Sequence, residues 1–124
     1  MKKFFKILVL TTLGYFCLYP LGVASEKKIK IGLLVPLTGD DKEIGQQIIK
    51  STRMALKDIN SKNLEIYPKD TGSDPNKTIK SAIELKKIGI NIVIGPVFHK
   101  NLNYLDEVQD IIFVSLTNKT LNLP

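Results

Sequence analysis

The chain has 124 residues, too few for more than one domain and few enough to be part of one. Its formal charge of +6 invites a polyanion partner, but Lys2, Lys3 and Lys6 sit in an N-terminal segment that is not part of the fold. Without them 15 basic residues face 12 acidic ones, a balance of +3 with the signs interspersed, which excludes a dedicated nucleic-acid surface.

Residues 1–25 read as a signal peptide. The three lysines form its basic start, Ile7 to Leu18 its apolar stretch, and small residues around Gly22-Val23-Ala24-Ser25 suit cleavage near 24 or 25. The apolar stretch is shorter than the roughly 20 residues of a membrane span, so export to the periplasm is expected. Cys17 is the only cysteine, and Tyr15-Phe16 just before it fits a lipid attachment site poorly. The mature chain, residues 26–124, therefore has no disulfide, no thiol nucleophile and no thiolate metal ligand.

Lys28 to Pro36 (KIKIGLLVP) starts as an alternation and becomes a continuous apolar run, the pattern of a strand covered on both faces. After the Pro36 to Gly39 turn, Asp40 and Glu43 stand at capping-box spacing. Ile44, Ile48, Thr52, Ala55 and Ile59 then predict one face of a helix running to about Asn60. Leu64 to Lys69 is a second strand, placed near the sheet edge by Pro68. Asp74-Pro75 predicts a cap and first turn for a second helix, with Ile79, Ala82, Ile83 and Ile88 on its apolar face and Gly89 as its stop. Asn91 to Ile94 is a third strand, Leu102, Leu105 and Val108 mark a short third helix, and Asp110 to Ser115 is a fourth strand.

Strands alternating with helices through short links predict an α/β fold: a three-layer parallel sheet with helices on both faces. Ligands of such sheets bind at the strands' carboxyl ends. Those ends are residues 36–41, 70–74, 95–99 and 115–120.

The loops there exclude several chemistries. No phosphate-binding glycine motif follows the first strand, and Gly45 is expected to let the helix approach the sheet or a ligand closely. Asp40, Asp41, Asp70 and Asp74 occupy turn and cap positions that helix starts need anyway, so no metal site is assigned. Ser115 and His99 could approach each other, but no G-x-S-x-G exists and Asp106 and Asp110 lie at the wrong ends of their elements to orient the ring. No catalytic residue and no cofactor are assigned. What remains is a set of hydroxyls and amides, Thr38, Thr71, Ser73, Ser115, Thr117 and Asn118, of the kind that holds a polar small molecule without transforming it.

With KIGLLVPLTG, a long helix ending ALKDIN, a KDTGSDP turn and an IVIGP strand end, the sequence resembles type I periplasmic binding proteins of the leucine/isoleucine/valine-binding kind over Ile29 to about Asn118. The resemblance implies a non-enzymatic protein that closes two lobes on an amino acid or related solute and delivers it to an ABC importer permease. It implies ligand contacts at Thr38, Gly95, Pro96, His99, Ser115, Thr117 and Asn118, with His99 standing near where a serine is usual, beside bulky Val97 and Phe98. The KDTGSDP turn and the IGPVF segment also resemble the penicillin-binding protein activators, a branch of the same fold whose partner is a peptidoglycan synthase. Against either pattern the chain is expected to be a fragment, residues 26–124 forming part of an N-terminal lobe with the second lobe absent. Its last strand would then lie at an exposed edge.

Overall fold

Four parallel strands, β1 (Ile29–Val35), β2 (Leu64–Asp70), β3 (Ile92–Ile94) and β4 (Ile112–Val114), stand in the order β2-β1-β3-β4. The computed structural model describes residues 27–102 and 104–117. The signal-peptide expectation and Asn118 lie outside them. Helix α1 (Lys42–Ile59) joins β1 to β2, and helix α2 (Pro75–Lys87) joins β2 to β3. Among the described residues no helix is long and apolar enough to cross a membrane.

The two helices take opposite faces because the β1-to-β2 and β2-to-β3 crossovers run in opposite directions across the sheet, and alternate strand residues pack under each. Leu34 and Val93 pack with Ala82, Leu85 and Ile90 in the buried core on the α2 face. Gly32 makes that approach possible: a Cβ there would stand 2.7 Å from Leu85 Cδ1 and 2.9 Å from Val93 Cγ2. On the other face α1 lies over Leu33, Ile66 and Pro68. Its N-terminal end comes so near β1 that a Cβ on Gly45 would meet the Pro36 carbonyl oxygen at 1.7 Å. The expected role of Gly45 is therefore observed, and its neighbour is backbone.

β2 is an edge strand, as Pro68 requires. Helix α2 begins as its sequence predicts, with Pro75 in the first turn and Asp74 accepting the Lys77 amide at 2.8 Å. It closes with Gly89 at φ +79 and bonds from Gly89 N to Lys86 O and from Ile90 N to Leu85 O, a Schellman pair.

Four expectations need correction. The capping residue of α1 is Asp41, not Asp40, and it makes no side-chain cap bond; its carboxylate accepts the Ser73 hydroxyl at 2.6 Å instead. The apolar faces of both helices are rotated. Ile44 and Ile59 are 42% and 60% exposed, while Gly45 is the buried residue of α1. In α2, Ile83 and Ile88 are exposed and Thr78, Ser81, Ala82 and Leu85 are buried. The two hydroxyls can be buried because Thr78 donates to Asp74 O and Ser81 to Asp70 O, each at 2.7 Å. The short third helix is replaced by two 3-10 turns, His99–Leu102 and Leu105–Glu107, with Tyr104 between them at φ 69. Finally, β3 and β4 are three residues each, shorter than Asn91 to Ile94 and Asp110 to Ser115.

Candidate functional site

The carboxyl ends of the four strands form one rim, and its most heavily bonded residue is Asp70, the last residue of β2. Its Oδ1 accepts the amides of Leu37 at 2.7 Å, Gly72 at 2.8 Å and Thr38 at 3.2 Å. Its Oδ2 accepts the Thr38 hydroxyl at 2.6 Å and the Lys77 ammonium at 2.5 Å. Partial burial pushes this carboxyl up, but Lys77, Thr38, Leu37 and Gly72 together outweigh it and hold the group well below the carboxylate range. One carboxylate thus ties the β1–α1 loop to the β2–α2 loop. Ser73 donating to Asp41 is a second tie between the same loops.

This arrangement constrains Thr38. Its hydroxyl proton goes to Asp70 and one lone pair accepts from Lys77 at 3.1 Å, so what it can offer a ligand is a remaining acceptor site.

The second half of the rim is built by β3 and β4. Gly95 N donates to Val114 O at 2.8 Å and Leu116 N to Pro96 O at 3.1 Å, which sets the two strand ends side by side. Gly95 has φ +105, and a Cβ there would lie 2.3 Å from Leu34 O, so only glycine lets this end lie against β1. The Gly95–Pro96 peptide is cis, and both residues are buried. Ser115 Oγ accepts the Thr117 amide at 3.2 Å, leaving its own proton to donate.

His99 opens the first 3-10 turn with its Nδ1 buried and without a hydrogen-bond partner. Two residues on, Asn101 is fully buried and neither atom of its amide has a partner. Nothing in the sequence separated Asn101 from an ordinary loop residue. Lys77 was equally silent as a helix-surface lysine, whereas Asp70 was legible only as a turn former.

Of the expected ligand residues, Gly95, Pro96 and Ser115 are brought together, with Thr117 bonded to the last. Thr38 belongs to the Asp70 cluster on the adjoining strands, and His99 to the turn beyond Pro96. No hydrogen bond joins Ser115 to His99, and Asp110 instead pairs with Lys86 at 3.2 Å. Among the described residues no group of three or more His, Cys, Asp or Glu side chains could hold a metal ion. Backbone groups, hydroxyls and one imidazole at a strand-end rim are suited to holding a polar solute.

A family model described as "Periplasmic binding protein" matches residues 28–121. No curated protein matches the chain. Among solved structures it is similar to the C-domain of LpoA from Haemophilus influenzae, described as a regulator of PBP1A, with 26% identity and a TM-score of 0.58 over 69% of this chain and 27% of that one. It is similar also to a solute-binding protein of an ABC transporter from Rhodopseudomonas palustris BisB5, solved with 3,4-dihydroxybenzoic acid, with 24% identity and a TM-score of 0.64 over 71% and 26%. A third similar structure is the leucine-binding protein LivK from Thermotoga maritima MSB8, with 19% identity and a TM-score of 0.59 over 64% and 24%. The chain spans about a quarter of the length of each of these three proteins.

Proposed function

The chain belongs to the periplasmic binding protein family, and on that footing we propose that it carries one wall of an extracytoplasmic solute-binding cleft, which holds an amino acid or related small polar ligand without transforming it. The observation that carries this reading is the rim itself, where Gly95, Pro96 and Ser115 meet at adjoining strand ends beside the Asp70-fixed loop that presents Thr38. In this reading Ser115 donates to a carboxylate, Thr38 accepts from an ammonium or hydroxyl group, and His99 and Thr117 complete the polar lining. The solute is then passed to an ABC importer permease, and the protein is exported to the periplasm.

Thermal-shift screening against amino acids and small aromatic acids tests it. A ligand present at a hundredfold excess over its dissociation constant stabilises the folded chain by about 2.7 kcal/mol.

The likeness to the LpoA domain supports a second reading, in which the chain is part of a regulator of a peptidoglycan synthase and the rim carries no transported solute. Under that reading the screen gives no shift and a peptidoglycan synthase is captured from membrane extracts.

A further inference from the structure

A groove separates α1 from the outer strand β2 on the side face of the sheet, touching the strand-end rim only at Leu37. It encloses about 500 Å³ and is lined by Leu37, Gln46, Ile49, Lys50, Arg53 and Pro68. A smaller cavity of about 190 Å³ continues it, sharing Ile49, Arg53 and Pro68 and adding Leu33 and Ile66 from the sheet. The floor is apolar, and the spacing 46, 49, 50, 53 sets Gln46, Lys50 and Arg53 along one flank of α1 above it.

Those two cations are uncommitted. The four ion pairs among the described residues are Lys28–Glu65, Lys69–Glu84, Lys77–Asp70 and Lys86–Asp110, and none uses Lys50 or Arg53. Glu43 shares a shallower depression with Gln46, Gln47 and Lys50, yet it forms no ion pair with Lys50. An apolar trough of ligand size with two unpaired positive charges at its mouth has the complementarity of a molecule that is hydrocarbon at one end and anionic at the other.

We propose that this groove binds a small amphiphilic carboxylate, with its hydrocarbon tail over Ile49, Ile66 and Pro68 and its head group between Lys50 and Arg53. The guanidinium offers a carboxylate a two-pronged contact, and no existing ion pair has to be broken to make it. An alcohol of the same length would gain the floor alone, and a quaternary ammonium would meet repulsion at the mouth. The groove meets the rim of the proposed solute cleft only at Leu37, and its other lining residues lie on α1 and β2, so neither reading depends on the other.

The test titrates the 15N-labelled full chain with octanoate, octanol and octyltrimethylammonium. Octanoate is expected to shift the amides of Ile49, Lys50, Arg53, Ile66 and Lys69. It should bind at least about tenfold more tightly than octanol, the factor that one charge-assisted hydrogen bond supplies. In the double variant Lys50→Ala, Arg53→Ala that preference should vanish while octanol binding is unchanged. Both side chains are exposed, so the variant keeps its fold, and its spectrum verifies this. Equal affinities for octanoate and octanol, octanoate shifts confined to the rim, a preference that survives the double substitution, or no shift at millimolar octanoate would each overturn the proposal.

Discussion

Thr38 gives its hydroxyl proton to Asp70 Oδ2 at 2.6 Å across 32 positions of sequence, and the same carboxylate takes the Thr38 amide at 3.2 Å. Through this pair the end of β2 fixes the loop that follows β1.

Asp70→Asn keeps the shape but removes the charge that Lys77 and three backbone amides address. It should cost about 2 kcal/mol at neutral pH, discounted from a buried pair because Lys77 is partly exposed. The sign of the pH dependence follows from the lowered folded-state value. A carboxylate bound more strongly when ionised contributes fully above its ordinary value of 3.8, and that contribution is lost as the pH falls below it. Urea unfolding of both chains from about pH 7 down to about pH 2 should show their stability difference shrinking at the acid end. A difference that stays constant would remove Asp70 from this role.

Gly45→Ala places a methyl group 1.7 Å from Pro36 O, which is backbone and cannot turn aside. The helix must move off β1, at a cost of about 3 kcal/mol, the upper part of the range for overpacking. Thermal unfolding measures it; a variant as stable as the parent would mean that α1 is not seated on Pro36.

The edge position of β2 and the α2 cap and stop were legible in short motifs, because each depends on local chemistry: Pro68, Asp74-Pro75 and Gly89. The strand order β2-β1-β3-β4 was not, since alternating strands and helices do not say on which side of β1 each later strand pairs. The helix faces were not, and the reason is physical. Thr78 and Ser81 look like surface residues until their hydroxyls are seen to bond Asp74 O and Ser81's neighbour in space, Asp70 O. Ile44 and Ile59 look like core residues, yet the sheet meets α1 around Gly45. Of the candidate site, the strand-end glycine and Ser115 could be found from the order of the elements. The Asp70–Thr38–Lys77 cluster could not, since it joins residues from three elements and no single motif carries it.

Asn101 is buried with both amide atoms unpartnered, so it carries a desolvation cost that no hydrogen bond returns. Asn101→Leu, which keeps the branched shape without the polar atoms, should raise stability by about 1 kcal/mol in urea titration. A destabilised variant would show that the amide has a partner in solution, such as a bound water.

His99→Ala removes an imidazole whose Nδ1 has no hydrogen-bond partner, from a turn held by Asn101 N donating to Phe98 O at 3.0 Å. It should leave solute binding measurable, with affinity reduced no more than about tenfold, because the backbone of Gly95 and the Ser115 hydroxyl remain. Complete loss of binding in calorimetry, with the fold intact, would make His99 a principal ligand contact.

If the strand-end rim holds a solute, as proposed, titration of the 15N-labelled chain with leucine and with 3,4-dihydroxybenzoate should produce saturable backbone amide shifts at Thr38, Gly95, His99 and Ser115 with at least one of the two. Unchanged rim amides at millimolar concentrations of both, together with capture of a peptidoglycan synthase by the same chain, would contradict that reading.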